Sequence, residues 1–270
     1  MKKFIKDVCL LQFSALGTTA AGLITSFAIA KILKPQDFGI YTLAFTIYSL
    51  IGTLSNWGVD SATMLKFSES YCQNDQENCM SLLIFFLKMS MAIGIVVFAL
   101  GFCLSPYLGK YFYGNKEVGN LAGLLFLMFP LGIAYKFYVV ILQATRKMAK
   151  LALLENLSWI LVLSLVIGLA LMGFGVKGAI YGWVISTFLS SLLALAMFRK
   201  FKLETISLPS FIEIVKMFSK TKTAKYFKFG ILVALSENMY ILFDIMPIIL
   251  LGIFALTKDA GYYQFAYGII

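Results

Sequence analysis

Six stretches of this 270-residue chain contain no Asp, Glu, Lys or Arg: Val8–Ala30, Phe38–Val59, Met89–Gly109, Val118–Tyr135, Asn156–Val176 and Gly178–Phe198. Each runs 18 to 23 residues, and about 20 apolar residues in a helix cross a bilayer core of about 30 Å. A seventh segment, Phe227–Phe254, has the length but carries Glu237 and Asp244, and an eighth begins near Gly261. Backbone that faces lipid must satisfy its own hydrogen bonds, so each run is expected as a helix. The pattern predicts an all-α, polytopic membrane protein of about eight transmembrane helices, the last one incomplete.

Composition agrees with that solvent: 60% of residues are hydrophobic, 13% are charged and the mean hydropathy is +0.88, whereas a soluble domain carries about 25% charged residues. The net charge of +10 invites a nucleic-acid reading, but its distribution argues against one. With the N-terminus cytoplasmic and the helices alternating, fifteen of the lysines and arginines fall on the inner side and six on the outer side. That asymmetry is what the positive-inside rule predicts, and the excess inner charge suits anionic membrane lipid. A cleaved signal peptide is the competing reading of "MKKFIK" and the run after it. That run exceeds the 7–15-residue apolar region of such peptides, which favours a retained first helix.

The chain also repeats itself. "PQDFGIYTLAF" and "KDAGYYQFAY" both spell D-x-G-x-Y-x-x-A-aromatic: Asp37, Gly39, Tyr41, Ala44 and Phe45, then Asp259, Gly261, Tyr263, Ala266 and Tyr267. A shift of 222 residues steps over an even number of spans, so both copies are expected in loops of the outer face. Residues 1–200 then form a first lobe of six helices. Residues 201–226 form a basic cytoplasmic loop, and 227–270 begin a second lobe in parallel orientation, one of the two common builds of secondary transporters. Within the loop, Leu208, Phe211, Ile212, Val215 and Phe218 recur at helical spacing behind a Ser210-x-x-Glu213 capping pair, as in a helix lying in the headgroup plane. The chain is expected to be a fragment of a longer two-lobe protein.

Residue types argue against several chemistries. There is no histidine, and Cys9, Cys72, Cys79 and Cys103 form no C-x-x-C, so a zinc site or a Cys–His nucleophile is hard to build. No G-x-x-x-x-G-K-[ST] is present, which excludes ATP as a driver acting within this chain. No cofactor is expected, and no enzyme.

"LKPQDFGIYTLAFTIYSLIGTLSNWGVDSA" resembles the start of polysaccharide (O-antigen type) flippases of the multidrug/oligosaccharidyl-lipid/polysaccharide exporter superfamily. "FKFGILVALSENMYILFDIMPIILLGIFALTKDAGYYQFA" is similar to the same family, with Asp244 eight residues before Gly252. The resemblance implies two lobes around a central cavity. It implies a cargo of undecaprenyl-pyrophosphate-linked glycan moved to the outer leaflet for O-antigen or lipopolysaccharide synthesis, and glycan-assembly proteins as partners.

Charges inside membrane segments are costly and are therefore candidates for function. Lys136 lies ten residues before Arg146, about 15 Å below the inner boundary, where it could pair with the pyrophosphate of a lipid-linked sugar. Lys88, about seven residues inside the third helix, is the second candidate for substrate binding, within reach of the surface by snorkelling. Glu237 and Asp244 stand at i and i+7, about 10 Å apart on one face. Beside them Pro247 frees a carbonyl and is expected to kink the helix. This pair suits ion coupling, the bland alternative being neutralisation of a neighbouring lysine. Asp60 with Asn56 flanks the inner end of the second helix, and Asp7 and Glu155 lie near helix ends, where a solvated role is expected. Gly17, Ala21 and Gly22 suit close helix packing.

Two other functions compete. A multidrug/cation antiporter of the same superfamily often carries an acid within the first helix, and Val8–Ala30 has none. A membrane glycan polymerase or glycosyltransferase would need a sizeable external domain or an acidic metal motif, and the longest non-spanning stretch, Arg199–Lys228, offers only Glu204 and Glu213.

Overall fold

The charge-free runs do fold as helices, but they are cut differently from the hydropathy pattern. The computed structural model describes residues 2–55, 57–200 and 224–267. The basic-loop helix over 208–222, its capping pair and Asn56 lie outside the described residues. The helices are α1 (Lys2–Ile32), α2 (Pro35–Ser55), α3 (Val59–Cys72), α4 (Gln76–Tyr113), α5 (Lys116–Leu125) and α6 (Met128–Leu131). They continue as α7 (Ile133–Ala144), α8 (Met148–Leu169), α9 (Gly175–Arg199), α10 (Ala224–Phe254) and α11 (Thr257–Tyr267). Among the described residues four helical stretches are long and apolar enough to cross a membrane, or five when one bent pair counts as a single span. One of the four, Met148–Arg199, is 52 residues long and folds back on itself.

The polar sequence "SESYCQNDQENC" after the second charge-free run is mostly helical. Gly58 adopts φ 66° and lets the chain restart as α3. Only a short turn through Asn74 (φ 55°) separates α3 from α4. The Asp75 carboxylate then caps α4, accepting from the Asn78 N–H at 3.0 Å. Helix α4 runs 38 residues, about 57 Å at 1.5 Å per residue, so it extends well past a bilayer core. Its first turns, Leu82 to Leu87, are buried on every side, in a cluster with Phe67, Phe137, Tyr138, Ile141 and Phe198.

Residues Met148 to Arg199 are helical along almost their whole length, yet this stretch is a hairpin. A π-turn at Ala170–Phe174 holds Gly173 at φ 93°, and Gly175 follows at φ 54°. The arms then pack antiparallel: a Cβ on Gly178 would lie 2.6 Å from the Leu169 carbonyl, and one on Gly182 2.6 Å from Val166 Cα.

The span expected over Val118–Tyr135 is broken. Residues 116–131 and α7 meet at 49°. Pro130 supplies no N–H and sits in the break, where Leu127 N–H reaches only to Leu124 O (3.2 Å) and Phe129 N–H to Phe126 O (3.1 Å). Ser191 of α9 donates its hydroxyl to the Leu131 carbonyl at 2.5 Å. Removing that donor by Ser191→Ala is expected to cost about 0.6–1.7 kcal/mol, the range for interhelical hydrogen bonds in membranes. Thermal unfolding in detergent against the parent chain checks it.

The two D-x-G-x-Y copies lie in first turns of helices, not in loops. Helices α2 and α11 begin 222 residues apart, at Pro35 and Thr257, so Asp37 and Asp259 are both third residues of a helix. The Asp259 carboxylate accepts the Leu256 N–H at 3.0 Å, as a capping-box acid does. The motif glycines then meet: a Cβ on Gly39 would lie 2.1 Å from the Thr257 carbonyl oxygen, and one on Gly261 3.0 Å from the Gly39 nitrogen. The duplicated sequence is thus a pair of helix starts that cross backbone to backbone, at one end of the bundle.

Candidate functional site

A cavity of about 340 Å³ opens beside α2 toward its C-terminal end. Tyr48, Ser49, Gly52 and Thr53 line it, spaced to share one face of α2. Trp57 and the first turn of α3, Val59 and Asp60, close one side. Ser90, Ile93 and Gly94 of α4 and Phe129 and Ile133 of the broken span form the walls. Lys136 of α7 and Ile241 of α10 complete it. At Gly52 the wall is closely packed, since a Cβ there would crowd the Phe129 ring at 3.1 Å. Tyr48 packs on Phe129 with ring centroids 5.3 Å apart.

Two charges face this space, and they face each other. Lys136 Nζ lies 3.4 Å from Asp60 Oδ2, with the side chains 58% and 47% exposed. The bend at Pro130 starts α7 on a new axis at Gly132, and Gly58 starts α3 on another; together these breaks bring the ends of residues 76 apart in sequence into contact. Lys136, expected to pair with a pyrophosphate, is therefore held in an ion pair with Asp60. The chemistry of the cavity can attract a phosphate through Lys136 or a cation through Asp60.

The other candidates lie elsewhere. Lys88 is half-buried in α4, two residues before Ser90 and about 200° around the helix, and is not among the described residues lining the cavity. Asp244 of α10 accepts a hydrogen bond from the Tyr267 hydroxyl of α11 and is likewise outside that lining. Glu237 belongs to the backbone of α10, with its side chain outside what is described. The helix continues through Pro247 to Phe254, so the expected kink does not interrupt it.

Glu155, expected to be solvated, is half-buried and bonded to α1. Ser14 Oγ donates to Glu155 Oε2 at 3.3 Å, and Asn156 Nδ2 donates to Ser14 Oγ at 3.1 Å. Gly17 makes the approach possible, since a Cβ there would sit 2.9 Å from Asn156 Oδ1. Gly22 faces the Trp159 ring, which a Cβ there would meet at an ordinary contact distance of 3.6 Å. Among the described residues no group of His, Cys, Asp and Glu is arranged to hold a metal ion.

Helices of these lengths, packed through glycine crossings around a charged cavity, define an all-α polytopic membrane protein. The sequence matches the model of the polysaccharide biosynthesis protein family over residues 4–270, and the chain belongs to that family. Its fold is similar to the inward-facing conformation of a multidrug resistance MATE family transporter of the MOP superfamily. There the TM-score is 0.62 and the identity 20%, over 93% of this chain and 57% of that one. The outward-facing conformation of such a transporter gives a TM-score of 0.63 at 18% identity, over 96% and 63%. A MOP superfamily transporter from Pyrococcus furiosus, described as having a binding pocket of reverse polarity that suggests a different function, gives 0.59 at 19% identity, over 96% and 63%. At these identities the likeness is one of fold. The chain spans 57–63% of the length of these structures. No curated protein matched.

Proposed function

We propose that this protein serves surface polysaccharide synthesis by translocating undecaprenyl-pyrophosphate-linked oligosaccharide across the cytoplasmic membrane, with its N-terminus on the cytoplasmic side. The observation that carries the reading is Lys136 at the wall of the cavity, in a chain whose family is one of polysaccharide biosynthesis. A pyrophosphate headgroup carries its charge on several oxygens, which an ammonium attracts through charge-assisted hydrogen bonds. The aromatic and small residues around Lys136 leave room for that headgroup, while the polyprenyl tail stays in lipid. Asp244 with Tyr267, and Glu237 two turns earlier, are the groups that would couple ion movement to this cycle, and Lys88 a cation on the cargo's way in.

A cation antiporter is the second reading, and Asp60 in the same cavity is what favours it. The two part on one residue. Lys136→Ala is expected to abolish surface glycan display in cells that depend on this protein, with its membrane abundance unchanged, while Lys136→Arg retains display. Normal display by Lys136→Ala, together with uptake of a cationic dye into everted vesicles under a proton gradient, would establish the antiporter instead.

A further inference from the structure

Lys136 and Asp60 are the charged groups among the described lining of the cavity, so as it stands the site is electrically neutral. Their arrangement is unlike a structural ion pair. Both side chains are about half exposed, at 58% and 47%, and the Nζ–Oδ2 distance of 3.4 Å is long for a charge-assisted hydrogen bond. Pairs of this kind contribute little to stability. Asp60 also has a bland role available, since it sits in the first turn of α3, where an acid suits the helix dipole. That role does not require it to face a lysine of another helix across a cavity.

We propose that Asp60 is the internal counter-ion that sets the charge selectivity of the cavity. It occupies Lys136 when the site is empty and gives it up to a phosphate group carrying two or more negative charges. The inference rests on the anionic-cargo reading above. A monovalent anion gains too little from Lys136 to outweigh repulsion by Asp60. A pyrophosphate presents several charged oxygens to the same ammonium and displaces the carboxylate, which turns toward the exposed side of the cavity. Selectivity then comes from a built-in competitor as well as from the attracting group. The weakness of the pair suits this exchange, because a tight buried pair would shut the cargo out.

The test is equilibrium binding of inorganic pyrophosphate and, separately, chloride to the purified full chain in nanodiscs, in magnesium-free buffer at low ionic strength, where exposed charges are least screened. Four forms are compared: the parent, Asp60→Asn, Lys136→Gln and the double variant. Asp60→Ser and a melting curve for each form guard against a folding defect. The expected result is pyrophosphate binding tightened about fivefold in Asp60→Asn and Asp60→Ser, the factor that loss of an exposed pair permits. Preference over chloride should narrow in both, and Lys136→Gln and the double variant should bind equally poorly. If Lys136→Gln loses binding while both Asp60 variants bind as the parent or more weakly, the counter-ion proposal is wrong and the anionic-cargo reading stands. If Lys136→Gln binds pyrophosphate like the parent, the anionic-cargo reading itself fails and takes the proposal with it.

Discussion

Gly39→Ala is expected to be among the most damaging single-methyl substitutions in this protein, although it adds one carbon to a helix. The new Cβ would stand 2.1 Å from the Thr257 carbonyl oxygen and 2.7 Å from its carbon. These are backbone atoms of the first turn of α11, which cannot rotate away as a flexible side chain does. Relief requires the two helices to separate at the crossing, with loss of the packing of Phe38, Ile40 and Leu43 that surrounds it. Overpacking of this kind costs typically 1–3 kcal/mol, and a backbone clash places Gly39→Ala at about 3 kcal/mol. Gly261→Ala meets the other side of the crossing at 3.0 and 3.2 Å, so a smaller loss of about 1 kcal/mol is expected. Gly168, in α8, has nothing within 4 Å of where a Cβ would go. Replacing it by alanine should stabilise by about 0.5–1 kcal/mol, the ordinary gain in a helix interior. Thermal unfolding of the three variants in one detergent checks the order, and equal melting of Gly39→Ala and Gly168→Ala would falsify the tight crossing.

The second large effect concerns charge at the cavity. Lys136→Glu is expected to reduce surface glycan display at least about a hundredfold, each tenfold step in affinity corresponding to about 1.4 kcal/mol. The substitution replaces a neutral pair by two carboxylates facing one another, so the cavity repels a pyrophosphate where it formerly attracted one. The fold should tolerate the change. Both side chains are about half exposed, and like charges about 4 Å apart in a watery setting repel by only about 1 kcal/mol. Loss of display with normal membrane abundance therefore separates function from stability. Combining Lys136→Asp with Asp60→Lys returns the cavity to neutrality with the charges exchanged, and partial recovery of display is the expected outcome. Full display by Lys136→Glu would remove this lysine from any account of cargo binding.

Much of this was legible in the chain itself, and what was legible is local. A helix satisfies its hydrogen bonds over four residues and a membrane reads hydropathy over about twenty, so the charge-free runs showed an all-α membrane protein without any long-range knowledge. The D-x-G-x-Y repeat marked α2 and α11 as equivalents, because an acid in the first turn and a glycine after it serve the same local ends twice. The breaks in the fourth run and after α2 do not follow from hydropathy, which reads straight through Pro130 and Gly58.

Tertiary structure alone decided what those breaks accomplish. Whether Lys136 faces Asp60, 76 residues away, depends on the axis α7 takes after the bend, which Ser191 of α9 helps hold through the Leu131 carbonyl. Whether Glu155 is solvated or bonded depends on how closely α1 approaches α8, set by Gly17 beneath Asn156. Rotation and tilt of a helix are collective results of packing against all its neighbours, and a side chain's partner follows from them. That is why the elements could be read one at a time, whereas the charge pair in the cavity emerged only once they were assembled.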